Sequence, residues 1–228
     1  MNNGFSQRMR ERIAAAPDGS VFTASDFADI ADTATIRQCL NRMVTEDVLR
    51  RVIRGVFEKP QYSTLLNEYV AVDPDKVAQA LARSYHWTIT ASGNTALNLL
   101  GLSEQVASSW EYLSDGPYKT YEWGNTKLVF KHRTNKEITG LSHVTSLVIQ
   151  ALKALGKGQV TAETIQYLSG KLSEEERTAL MAESGESTDW IVDTIRKICT
   201  GGAARETQHD FQLRIEAIFF ATQLTGWG

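Results

Sequence analysis

The residues best suited to chemistry lie between Thr33 and Pro60. Thr35, Arg37, Gln38, Asn41 and Arg42 stand close together, and Arg51 and Arg54 follow shortly after. Guanidinium groups, carboxamides and hydroxyls are the side chains that bind phosphate oxygens and hydrogen-bond base edges. The pattern predicts recognition of double-stranded DNA rather than bond making. A second set, Asp115, Glu122, Lys127 and Lys131, supplies the groups of a metal-dependent nuclease. Its carboxylates would hold a divalent cation and a lysine would position the attacking water. The close acidic-x-lysine spacing of such sites is missing, because Glu122 and Lys127 flank a turn, and surface charge on a hairpin is the plainer account. Lys131, Arg133 and Lys136 concentrate positive charge after an apolar strand. They are read as either solvated surface or a second nucleic-acid contact.

Other candidates are weaker. His86, His132, His143 and His209 show no metal-ligand spacing, and Cys39 and Cys199 are expected as buried thiols. Ser92-Gly-Asn-Thr95 reads as a helix cap, and Gly156-Lys-Gly158 is too short for a phosphate loop. No catalytic set, metal or cofactor is expected.

The elements that must position the DNA-facing residues follow from periodicity. Ile36, Leu40 and Met43, with Cys39 and Val44, repeat at helical spacing and turn the polar residues outward. Asp32 or Thr33 caps the helix. Leu49, Val52 and Val56-Phe57 then surround Arg54-Gly55, the pattern of a tight hairpin. Upstream, Met9, Ile13 and Ala16 mark a first helix, Val21-Phe22 a short strand, and Thr23 to Asp26 a capping box opening a second helix. Helix, strand, helix, helix and hairpin make the order of a winged helix-turn-helix over residues 1–60.

Pro60 to Leu66 reads as a linker to a second domain over residues 67–200. Asp73-Pro74 starts a helix, and strands are expected at 86–90, 110–113, 118–123 and 127–131. Helices are expected at His143–Leu155 and Thr161–Leu168, from a capping box at Ser173, and at Trp190–Ile198. The fold class is α+β: the winged helix-turn-helix, then a mixed domain with antiparallel strands first and helices after. Residues 201–228 form a tail of unknown role, with an amphipathic piece from Phe211 to Leu224.

Net charge is −3, which taken whole does not favour nucleic acid. From Thr33 to Pro60, however, six Lys/Arg stand against three Asp/Glu, so the positive excess is local to the helix and hairpin. Such a small footprint suits a homodimer or cooperative binding on DNA. No apolar run approaches the length of a membrane span and the first residues lack the apolar core of a signal peptide. A cytoplasmic protein without membrane contact is expected.

Several stretches resemble the AbiEi antitoxins of abortive-infection, type IV toxin–antitoxin systems. They are F-T-x-x-D-F from Phe22 to Phe27, T-I-R-Q-C-L-N-R-M in the polar-faced helix, R-V-I-R-G-V-F from Arg51 to Phe57, and I-T-A-S-G-N-T-A-L-N-L-L-G-L from Ile89 to Leu102. The resemblance implies an N-terminal domain that represses the system's own promoter. It also implies a C-terminal domain that counteracts a nucleotidyltransferase-like toxin without a stable complex. It places the DNA contacts at Thr35, Arg37, Gln38, Asn41, Arg42, Arg51 and Arg54. Two alternatives stand beside it: a DNA-processing nuclease with a winged-helix targeting domain, and a ligand-sensing winged-helix regulator.

Overall fold

The computed structural model describes residues 3–105, 109–133 and 140–201. Lys136 and the tail from 202 onward, with the piece expected at 211–224, lie outside the described residues. The chain mixes α and β structure and divides into two compact units, Met1–Thr95 with Gln105–Thr139, and Ala96–Glu104 with Gly140–Gly228. That partition does not follow the boundary expected near residues 60–67.

In the first unit, α1 (Asn3–Ala15) buries Met9 and Ile13, one helical turn apart. After β1 (Val21–Thr23), the expected second α-helix is a single 3₁₀ turn, Ala24–Phe27. Asp26 Oδ2 accepts from the Thr23 backbone N–H at 2.7 Å and closes the turn early, while Phe27 and Ile30 still face inward. Helix α2 (Thr33–Thr45) is capped by Asp32, whose Oδ1 accepts from the amides of Ala34 at 2.9 Å and Thr35 at 3.1 Å. Its buried stripe of Ile36, Cys39, Leu40 and Met43 packs into one core with Met9, Ile13 and Phe27. Each large side chain fully removed from water there contributes about 1.5–3 kcal/mol.

Strands β2 (Arg50–Ile53) and β3 (Val56–Glu58) are joined by Arg54-Gly55. Gly55 adopts φ +84°, which a two-residue turn of this kind requires and which a side chain would strain. The sheet order is β1-β3-β2, all antiparallel, with an irregularity in β2 between Arg51 and Ile53. The stretch expected as a linker, Pro60 to Leu66, holds the first strand of a small hairpin, β4 (Tyr62–Ser63), which pairs with β5 (Glu68–Tyr69) just beyond it. The rings of Tyr62 and Tyr69 meet edge to face at 5.3 Å across it.

Helix α3 (Pro74–Tyr85) links the first 60 residues to the strands that follow. Asp73 caps it and Pro74 occupies its first turn. At its far end Arg83 donates to the Val21 carbonyl and to Asp26, both at 3.2 Å. At its near end Asp75 accepts from the Tyr112 hydroxyl at 2.7 Å. Tyr112 belongs to a four-stranded sheet of β6 (Ile89–Ala91), β7 (Trp110–Ser114), β8 (Lys119–Trp123) and β9 (Thr126–His132). Its order is β6-β7-β9-β8, with β7 and β9 parallel, so the expectation of purely antiparallel strands is corrected. The physical reason is burial. In β9, Leu128 and Phe130 are fully buried and take a central position, whereas the polar β8 is left at the edge.

Helix α4 (Gly93–Leu100) leads into the second unit, which is helical in its described residues. It comprises α5 (His143–Leu155), α6 (Ala162–Lys171), α7 (Glu174–Glu183) and α8, residues 189–201. Its buried side chains include Val148, Leu152, Leu168, Leu180, Ile191 and Ile195. Glu183 Oε2 accepts from the Ser142 amide at 2.8 Å, ahead of α5. Hydrogen bonds from Thr145 and Ser142 hold the Glu183 carboxyl below its ordinary range. No helix among the described residues is long and apolar enough to cross a membrane.

Candidate nucleic-acid interface

The outward face of α2 and the β2–β3 hairpin share one cleft of about 450 Å³, and Arg37, Asn41, Arg51 and Arg54 all line it. The helix supplies the first two because its apolar stripe is committed to the core, leaving the opposite face in water. The hairpin supplies the others. Arg51 Nη2 donates to Asn41 Oδ1 at 2.6 Å, and its guanidinium lies 5.6 Å from the centre of the Phe57 ring. Helix and hairpin are thereby tied at the site itself, with the guanidinium held over an aromatic face. Among the described residues, Arg37 and Arg54 have neither a hydrogen bond nor an ion pair, and both are exposed.

Gln38 is exposed on the same helix. The remaining two expected contacts are engaged elsewhere. Thr35 donates its hydroxyl to Asp32 Oδ2 at 2.6 Å and so belongs to the helix cap. That bond, with the two backbone amides, lowers the Asp32 carboxyl. Arg42 turns toward α1, donating to Ser6 Oγ at 2.5 Å and lying 3.8 Å from Glu46. Arg10 of α1 pairs with Glu46 as well.

Arg50 stands in the hairpin but points away from this chemistry. Its Nε and Nη2 donate to the same oxygen of Glu58 at 2.9 and 2.5 Å, and Nη2 also donates to the Val70 carbonyl at 3.0 Å. It joins β3 to the end of the β4–β5 hairpin.

The cleft wall also includes residues not expected there, among them Ser84 and Tyr85 from the end of α3. Tyr85 is half exposed and stacks on Trp87 at 4.7 Å, and Trp87 in turn meets Phe130 edge to face at 5.5 Å. The aromatic alternation in Tyr85-His-Trp87 was the available signal. Its placement beside the arginines depends on long-range packing.

The second basic group is less open. Lys131 pairs with Glu111 at 2.7 Å, and Arg133 Nη1 donates to the neighbouring carbonyl of His132 at 3.0 Å. Of the nuclease-like set, Lys127 faces Glu122 across the β8–β9 register at 3.5 Å, and Asp115 accepts from the Thr88 amide. Among the described residues, no three His, Cys, Asp or Glu side chains gather where a metal ion could be held. Cys39 and Cys199 are free thiols, and burial pushes the Cys199 thiol up.

The model of a family of unknown function, DUF6088, matches residues 8–180. The chain belongs to the DUF6088 family. The matched span includes α2, the hairpin and every cleft residue named above. No curated protein matches this DUF6088 chain. Among solved structures, the RV2827C protein from Mycobacterium tuberculosis matches with a TM-score of 0.37 and 12% identity, covering 87% of this chain and 77% of that one.

Proposed function

We propose that this DUF6088 protein binds double-stranded DNA through its N-terminal elements, acting as a winged helix-turn-helix transcriptional repressor. In this reading α2 is the recognition helix and the β2–β3 hairpin is the wing. The observation that carries it is the pair Arg37 and Arg54, exposed cations without a partner among the described residues, on either side of the linked Asn41 and Arg51. An arginine whose charge is not already neutralised keeps its full attraction for phosphate or for the O6/N7 edge of guanine. Gln38 and Asn41 present carboxamides of the type that pairs with adenine. The local positive excess between Thr33 and Pro60 supports the same surface. Thr35 and Arg42 contribute through the helix cap and the α1–α2 contact.

The resemblance to AbiEi antitoxins extends the proposal. The promoter repressed would be the protein's own, and the rest of the chain would counteract a nucleotidyltransferase-like toxin without a stable complex. Fluorescence anisotropy of the full chain with a labelled duplex from upstream of its own gene tests the DNA reading. Binding well above that to a shuffled duplex of the same composition is expected, and equal or absent binding would contradict it. Growth rescue on co-expression with a neighbouring nucleotidyltransferase-like gene tests the antitoxin role separately.

A further inference from the structure

The cleft beside α2 holds more than a duplex groove needs. Its volume of about 450 Å³ lies within the range of small-molecule sites. Three of its lining residues are arginines and none is an aspartate or glutamate, so its chemistry selects an anion. Two of those arginines, Arg37 and Arg54, are without a partner among the described residues. Tyr85 lines the same cleft, 48% exposed and stacked on Trp87 at 4.7 Å, so the ring is braced on one side while leaving surface to contact. Ser84 adds a hydroxyl beside it, and Leu81 and Phe57 make an apolar lining. A phosphate joined to a flat, unsaturated ring, which arginines and an aromatic side chain in one cleft would select, is the chemistry of one nucleotide. Paired bases inside an intact duplex are stacked on their neighbours and cannot offer a face to Tyr85.

We propose that this cleft binds a single nucleotide unit, with its phosphate on Arg37 and Arg54 and its base against Tyr85. The unit is either a free nucleotide or an unpaired nucleotide of a nucleic acid; both present the same groups. The site goes beyond the duplex reading and shares its arginines and Asn41 with it. An occupant would therefore compete with duplex DNA, giving the protein a means of being released from its site.

The test uses the full chain and follows intrinsic tyrosine and tryptophan fluorescence. The probes are ATP, pyrophosphate, and a single-stranded tetranucleotide, each at up to millimolar concentration. Duplex binding is measured in parallel by anisotropy. The variants are Tyr85→Leu, at an exposed helix end, and Arg54→Ala, at an exposed turn, with thermal unfolding to confirm that both fold.

Expected is saturable binding of ATP or the tetranucleotide, weakened about tenfold by Tyr85→Leu, as loss of a base–aromatic contact predicts, and also weakened by Arg54→Ala. Binding of ATP indicates a free effector; binding of the tetranucleotide alone indicates an unpaired strand; either supports the site. Equal binding of ATP and pyrophosphate with Tyr85→Leu neutral would overturn it, and so would no binding by ATP or the tetranucleotide. No duplex binding by the unaltered full chain, with nucleotide binding intact, would count against the repressor reading alone.

Discussion

Arg50 gives the clearest separation between an arginine that holds the fold and one that meets a ligand. Glu58 is almost wholly buried, its side chain 2% exposed, whereas that of Arg50 is 40% exposed. Removing one partner of a buried ion pair costs about 3–5 kcal/mol, because the other charge is left without compensation. The open guanidinium face admits water and weakens the pair. Arg50→Ala is therefore expected to cost about 2–3 kcal/mol. Part of that loss is the bond to the Val70 carbonyl, which anchors the β4–β5 hairpin. Urea unfolding followed by circular dichroism should show a lower midpoint with an unchanged slope. The double replacement Arg50→Met with Glu58→Met should recover most of the loss, since an apolar pair removes the stranded charge. Duplex binding by Arg50→Ala, measured well below its melting temperature, should keep its salt dependence. A stability change within about 0.5 kcal/mol, or a shallower salt slope, would refute this division of labour.

Asp32→Ala should destabilise the first unit through loss of the α2 cap, read as a lower midpoint in chemical denaturation. The Asp29 carboxyl, hydrogen-bonded by Arg12, is lowered to about 2, and a carboxyl NMR titration should find that midpoint; Arg12→Ala should return it toward about 3.9. Because the folded value is the lower one, the pair's contribution is complete above about pH 4 and fades as pH falls toward 2. Tyr112→Phe should cost about 1.5–3 kcal/mol by removing the hydroxyl donated to Asp75; an unchanged melting temperature would show that this hydrogen bond does not hold α3 to the sheet.

Local signals carried much of the first unit. The stripe from Ile36 to Met43, the cap ahead of it and the Arg54-Gly55 turn each depend on neighbours within a few residues, and all were legible. The β4–β5 hairpin was not, because its strands are two residues long and are held by Tyr62 against Tyr69 and by Arg50 from twenty positions upstream. The position of β9 between β7 and β8 was also hidden. The sequence pattern predicted antiparallel strands without an order, whereas burial of Leu128 and Phe130 places β9 centrally and beside β7 in parallel. At the site, helical spacing identified Arg37, Gln38 and Asn41 as outward. It could not show that Arg42 leans onto Ser6, that Thr35 is spent on Asp32, or that Tyr85 closes the cleft.

Arg37 of α2 and Arg54 of the hairpin, without a partner among the described residues, are expected to meet DNA phosphates or base edges. The most direct measurement is the slope of log affinity against log salt for the full chain on duplex DNA, compared with Arg54→Ala. Each phosphate contact contributes about −0.9 to that slope, so the variant should bind more weakly with a slope shallower by about one unit. A wild-type slope near zero, or an Arg54→Ala slope equal to the wild type with unchanged affinity, would contradict the account.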